Sequence, residues 1–316
     1  YLTLWSSHDK SKRHTCLLGY ISFLTGATSG IGKEIAAGIL IRGAKVCLAC
    51  RDVKKGEQVK EEIIAATELP ESRIAVYHLD LSSLDSVRKF VKEVCTKEET
   101  IDILVNNAGA TGLGNKITED GILIGMQVNY FAPFLLTCLL LEKLKKSAPS
   151  RIVWVTSKLY NFAKLDIDDL NFEKSFNETQ VYLSSKLAII LVAKELAKRM
   201  NSTGVTINTV HPGFTSTQMW HYLPSIVLLI WNFTLKKFFK TTFEAAQTAI
   251  YAAVDPFLVT VTGKHFAECQ EELLTSKVLD QIMAMKLYNK SLDTVKLTPS
   301  FMQEQFSALK HKYETP

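Results

Sequence analysis

The chain has 316 residues, 47% hydrophobic and 22% charged, a balance that buries a sizeable core and excludes a disordered or fibrous chain. Its 37 basic and 32 acidic residues leave only +5 with no long basic run, so no nucleic-acid footprint is indicated, while a phosphate-bearing small molecule or an anionic membrane surface is compatible. Six irregularly spaced cysteines are too sparse for a disulfide framework and fit a reducing compartment.

Short apolar β-branched runs alternate with longer amphipathic ones. In chain order they predict a strand at 20–25, a helix at 31–41, a strand at 45–50, a helix at 54–67, a strand at 73–78 and a helix at 84–96. A strand at 101–105, a long helix from about 118 to 146, a strand at 151–156, a helix at 180–200 and a strand at 205–210 continue the series. Apolar strands each followed by a helix imply a doubly wound α/β domain, a parallel sheet with helices on both faces. Beyond it come an apolar, aromatic stretch at 214–239, a helix at about 243–254 and a short strand near 264–266. The organisation expected is an N-terminal extension over 1–18, one domain over 19–270 with an insertion at about 214–240, and a polar helical tail over 271–316 with no assigned chemistry. No stretch matches the ~20 apolar residues of a spanning helix, the most apolar run, 223–231, being too short and holding Pro224.

The first predicted turn, 25–32, reads Thr-Gly-Ala-Thr-Ser-Gly-Ile-Gly and leads into a helix. Gly26 permits a tight turn, Gly30 lets amides approach a pyrophosphate, and Gly32 allows close helix contact, with Ser29 and Ile31 between them at the helix end that favours an anion. The second strand ends in Cys50-Arg51-Asp52, where a side chain meets the adenosine ribose. Arg51 there suits the 2′-phosphate of NADP, while Asp52 can instead turn toward ribose hydroxyls. Asp80, beside Leu81, can accept the adenine amino group or cap the next helix. Asn106-Asn107-Ala108-Gly109 suits a backbone edge beside the adenosine half of a cofactor.

Tyr182 and Lys186, at i and i+4 on one helix, bring a phenol and an ammonium to the same face, and the ammonium is expected to lower the phenol toward the working pH. Ser157 can bond a substrate oxygen, and Asn129 can hold a water that relays protons to Lys186, or simply bond its helix neighbours. His211 is assigned no role. Cys47 and Cys50 fall three apart in a strand, on opposite faces, and Asp166, Asp168 and Asp169 read as a solvated turn, so no metal is expected.

Together these residues resemble the short-chain dehydrogenase/reductases, in particular the retinol-dehydrogenase-like branch, over about 20–266. The resemblance rests on the glycine turn, Ala49-Cys50-Arg51-Asp52, Leu79-Asp80-Leu81, Asn106 to Gly109, Asn129, Ser157, Tyr182 with Lys186, and His211-Pro212-Gly213. It implies a seven-stranded Rossmann sheet, a catalytic tetrad of Asn129, Ser157, Tyr182 and Lys186, selection of NADP(H) by Arg51, and a nicotinamide end wrapped by Pro212, Gly213 and Thr215. Thr156-Ser157 stands where the family usually has paired serines, and Ala132-Pro133 where it has Gly-His, the latter read as a packing change.

The aromatic stretch 214–239 has three readings: the wall of a greasy substrate pocket, a segment on a membrane with Lys236, Lys237 and Lys240 toward headgroups, or plain core. The expected partner is a lipophilic alcohol or carbonyl compound, with peripheral membrane contact and a homodimer as further expectations. The expected setting is intracellular, at the endoplasmic reticulum membrane, with the cytoplasm as second choice. A rival reading is a dinucleotide-binding scaffold or sensor at a membrane, without turnover, which a complete tetrad argues against.

Overall fold

A computed structural model describes residues 15–214 and 240–306. Within these residues one sheet runs in the order β3-β2-β1-β4-β5-β6-β7-β8. The strands are β1 Ile21–Thr25, β2 Lys45–Cys50, β3 Ile74–His78, β4 Ile103–Asn106, β5 Ser150–Val155, β6 Val205–His211, β7 His265–Ala267 and β8 Gln270–Glu271. The first seven are parallel, as the alternation of strands and helices requires. The eighth, absent from the seven-stranded expectation, is a two-residue antiparallel return made by Glu268 and Cys269 at φ 52° and 57°. It is too short to carry a period.

The helices are α1 Gly30–Leu40, α2 Val53–Thr67, α3 Leu84–Lys97, α4 Ile124–Lys146, α5 Glu178–Arg199, α6 Thr242–Val254, α7 Gln281–Thr294 and α8 Pro299–Phe306. Successive strand residues serve opposite layers, which is why the strands are apolar throughout. Phe23, Leu104 and Trp154 face α3, α4 and α5, whereas Leu24, Val105 and Val155 face α1 and α6. Cys47 joins the first layer, and the Cys50 sulfur lies against Gly56 of α2 in the other, so the pair points apart.

The long helix begins at Ile124, six residues later than its periodicity suggests. Gly121, at φ 76°, closes a turn in which the Thr118 amide donates to Ile122 O at 2.9 Å, and the Leu123 amide donates to the Asn171 side chain at 2.9 Å. Inside α4 the backbone widens to a π turn over Gln127–Phe131. Pro133 has no N–H for the carbonyl of Asn129, four residues back, and the wider turn accommodates the missing bond. The helix is long and apolar enough to cross a membrane, yet 83% of its apolar window is buried in the protein. It is a core element.

The terminal helices pack on this same layer. Leu287, Tyr288, Leu292 and Met302 belong to the core beneath α4 and α5. The hydroxyls of Tyr130 and Ser291 meet at 2.6 Å, the Arg88 guanidinium donates to Val295 O at 2.7 Å, and the Arg199 guanidinium lies 4.3 Å from the centre of the Tyr288 ring. The sheet order reverses between β1 and β4, and an open α/β sheet offers a crevice at the carboxyl ends of its strands at such a point. If the tail is part of the core, Leu287→Ala lowers unfolding free energy by about 2–5 kcal/mol in a urea titration, and a loss under about 1 kcal/mol contradicts that packing.

Candidate active site

At that crevice lies a cleft of about 820 Å³. One end is built from the turn between β1 and α1, where φ is 68° at Gly26 and 57° at Gly30. A Cβ on Gly26 would stand 2.7 Å from the Ala108 Cα, and one on Gly32 would stand 2.2 Å from the Gly26 carbonyl oxygen. Gly32 is thus required by the turn itself, closer in than the helix contact expected of it. The turn is locked to the end of β4. Thr25 Oγ1 accepts the amides of Asn107 and Ala108 at 3.1 and 3.0 Å, and Asn107 Nδ2 donates to the carbonyls of Thr25 and Gly26 at 3.0 and 3.1 Å.

Side chains cap α2, α3, α5 and α6 through Asp52, Ser83, Asn177 and Thr241. The amino end of α1 has no such cap, because Ser29 makes no side-chain bond to it, and its first turn holds no acidic residue. Ser29, Gly30, Ile31 and Gly32 all line the cleft. Uncapped amides at the positive end of a helix dipole, in a cradle that a single Cβ would fill, fit the pyrophosphate of a dinucleotide.

Along the side of the cleft formed by the ends of β2 and β3, where the adenosine half was expected, Arg51 is exposed at the edge and makes no ion pair among the described residues. Asp52 is committed elsewhere, its Oδ1 accepting the Lys55 amide at 3.0 Å to cap α2. Asp80 and Leu81 line the cleft, but Asp80 Oδ1 accepts both the amide and the hydroxyl of Ser82, at 2.9 and 2.7 Å, and Ser83 rather than Asp80 caps α3. Asn107, Ala108 and Gly109 form the floor.

At the other end stand Ser157, Tyr182 and Lys186, with Pro212 and Gly213 on the β6 side. Lys186 is buried and donates to Val155 O at 3.1 Å, its nitrogen 5.6 Å from the centre of the Tyr182 ring. Gly109 leaves the lysine its path, since a Cβ there would meet Nζ at 3.1 Å. The expected lowering of Tyr182 is not found. Burial dominates and pushes the phenol up to about 12, with a Ser157 hydrogen bond pulling the other way, while burial alone brings Lys186 down to about 8. Burial is the largest cause for both groups, and it disfavours the charged form of each.

Asn129 stands in the π turn and contacts a small neighbouring pocket with Tyr182 rather than the main cleft. Its Oδ1 accepts the Ala110 amide and its Nδ2 donates to Ala110 O, both at 2.8 Å, so it anchors the loop leaving β4. Thr215, Lys236, Lys237 and the aromatic run beyond Phe214 lie outside the described residues, while Lys240 pairs with Glu268 at 2.6 Å. Asp166 and Asp169 accept amides within an exposed turn, and Asp166 pairs with Lys174 at 2.8 Å.

Sequence reasoning passed over His211. It lines the cleft, and its Nδ1 accepts the Lys158 amide at 3.2 Å, fixing the turn that begins at Ser157. Burial brings it down to about 4, so it is neutral and able to accept at physiological pH. Its place immediately before Pro212 was the available signal. Thr111, Leu113 and Leu159 also line the cleft, and their loops carry no periodic pattern to mark them.

A family model described as short chain dehydrogenase matches residues 21–225, more than half of the chain. Human retinol dehydrogenase 14 is 43% identical over 286 residues, covering 86% of this chain and 85% of that protein. Human retinol dehydrogenase 12 is 39% identical over 277 residues, covering 88% and 86%. Among solved structures, an uncharacterised protein from Mycobacterium paratuberculosis superposes with a TM-score of 0.72 at 26% identity, over 89% of this chain and 95% of that one. The RhlG/NADP active-site complex of Pseudomonas aeruginosa gives 0.64 at 24% identity, over 80% and 96%, a likeness of fold. The chain therefore belongs to the short-chain dehydrogenase family, oxidoreductases that use a nicotinamide dinucleotide, and is a retinol-dehydrogenase-like alcohol dehydrogenase.

Proposed function

We propose that this enzyme binds NADP(H) along the carboxyl ends of the sheet and interconverts a lipophilic alcohol with its aldehyde or ketone, a retinoid-like compound first among them. The observation that carries the reading is the pairing of Ser157 with a buried Tyr182 at one end of a cleft whose other end is an uncapped helix amino terminus. When bound, the nicotinamide supplies or accepts the hydride. Gly26, Ser29, Gly30, Ile31 and Gly32 would hold the pyrophosphate, Asp80, Leu81, Asn107, Ala108 and Gly109 the adenosine side, and Lys186, Tyr182, Pro212, Gly213 and Thr215 the nicotinamide end.

In the reductive direction Ser157 and Tyr182 donate to the carbonyl oxygen, and Tyr182 passes its proton to that oxygen as it gains negative charge. A phenol held near 12 is fully protonated at neutral pH, which suits a proton donor. Lys186, buried and with its nitrogen 5.6 Å from the ring centre, steadies the phenolate so formed. Asn129 holds the loop that closes over these groups. The reverse oxidation uses the same atoms.

Arg51 supports NADP over NAD, because its guanidinium is uncommitted at the strand end while Asp52 is spent on a helix cap. The relatives named retinol dehydrogenase support a retinoid-like substrate. Such a substrate partitions into bilayers, and the reading accordingly sets the enzyme at an intracellular membrane, the endoplasmic reticulum first.

Three measurements check this. Tyr182→Phe is expected to lower kcat for carbonyl reduction by about 10²- to 10⁴-fold with little change in NADPH binding. A variant that keeps most of its activity contradicts the assignment, and a wild-type chain that quenches NADPH fluorescence without consuming it favours the scaffold. The Lys186 ammonium is present below its titration point and lost above it, so kcat/KM for reduction should fall as pH rises through about 8, and Lys186→Arg should abolish that limb in whatever activity remains. A profile flat through that region counts against the role of Lys186. Arg51→Ala is expected to weaken NADPH relative to NADH by about 10- to 100-fold, and an unchanged preference removes Arg51 from cofactor selection.

A further inference from the structure

The loop that follows β4, residues 110–115, crosses the cleft beside Tyr182. It carries two left-handed glycines, Gly112 at φ 74° and Gly114 at φ 73°. A Cβ on Gly114 would meet nothing within 4 Å, so glycine serves the turn there and not a close approach. Such a segment has many conformations unless it is tied down. At its start Asn129 takes both the amide and the carbonyl of Ala110. At its far end the Gly114 amide donates to Glu178 Oε1 at 3.0 Å.

We infer that Glu178 is a positioning residue that determines specificity: it clasps this loop to α5 and so sets which carbonyl compounds reach Tyr182. The inference rests on the oxidoreductase reading above. Glu178 opens α5, one helical turn before Tyr182, so a loop tied to Glu178 is fixed relative to the phenol. With the clasp made, Thr111, Leu113, Phe176, Val181 and Tyr182 line a shallow pocket of about 10 Å³, room for about one water molecule. A bulky second substituent on the carbonyl carbon has no place on this side. The geometry therefore suits a terminal aldehyde or primary alcohol on an apolar chain and disfavours a ketone flanked by two large groups. Releasing Gly114 lets Leu113 swing away and joins the small pocket to the cleft.

The alternative role for an acidic residue in the first turn of a helix is to complement the helix dipole. Glutamine separates the two, since it keeps an oxygen for Gly114 but carries no charge. The test compares the wild-type chain, Glu178→Ala and Glu178→Gln with NADPH, using decanal and benzophenone as the slim and the bulky carbonyl. In Glu178→Ala the ratio of kcat/KM for decanal over benzophenone is expected to fall about 3- to 10-fold, chiefly through KM, as one charge-assisted hydrogen bond is lost. Amide exchange at 112–114 should quicken in that variant, NADPH affinity should hold, and Glu178→Gln should restore the ratio to within about twofold of wild type. An unchanged ratio in Glu178→Ala, or glutamine behaving as alanine does, overturns the inference while leaving the enzymatic reading intact. A wild-type chain that reduces no carbonyl compound overturns both.

Discussion

Lys186 is a cation taken out of water, and the arrangement around it answers to that cost. An ammonium has three donors, and the protein offers this one the carbonyl of Val155. A glycine on the facing strand end leaves its path open, and the Asn129 oxygen lies near the same point. Burial moves the two partners of the pair in opposite directions, the phenol up and the amine down to about 8, so at neutral pH the free site holds a neutral phenol beside an ammonium. The opposite charge, a phenolate, is called for only when a substrate oxygen takes the phenol's proton. Buried groups prearranged for charge gain most at that moment, which makes the cost of burying them intelligible.

Much of the fold and a good part of the cleft were legible because their signals are local. A strand, a glycine turn and a helix are contiguous, and the steric demand at Gly26 follows from the turn that its neighbours impose. Tyr182 and Lys186 were readable together because helical geometry turns a spacing of four into a shared face. The apolar strands declared a sheet covered on both sides, and the structure fills both layers accordingly.

What escaped depends on contacts far apart in the chain. Asn107 read as one small polar residue in a suitable edge, yet its side chain bridges to Thr25 and Gly26 across more than eighty residues and holds the turn shut. The onset of α4 was misplaced because Thr118, Glu119 and Asp120 read as a capped, acidic first turn leading into Ile122 and Leu123, whereas Gly121 and the Asn171 side chain impose a turn there. The effect of Lys186 on Tyr182 was misjudged for a related reason. Spacing gives proximity, but the balance between a neighbour's charge and desolvation depends on how deeply both are buried, which only packing decides.

Packing also explains how a polar tail bears on the chemistry. Sixteen of the 22 residues of α5 are buried, among them Ser184, Ser185 and Lys186, so the helix is a beam enclosed on most sides rather than a surface element. Ser185 Oγ donates to the Tyr182 carbonyl at 2.6 Å, satisfying one of these hydroxyls within the helix itself. The carboxyl half of α5 is gripped from outside by the terminal segment, with Lys194 donating to Val278 O at 3.1 Å and Arg199 stacked on Tyr288. A rigid helix transmits that grip to its amino half, where one turn presents Tyr182 and the next Lys186. The residues that set the reacting groups in place thus extend well beyond the cleft, to segments whose sequence shows nothing of the reaction.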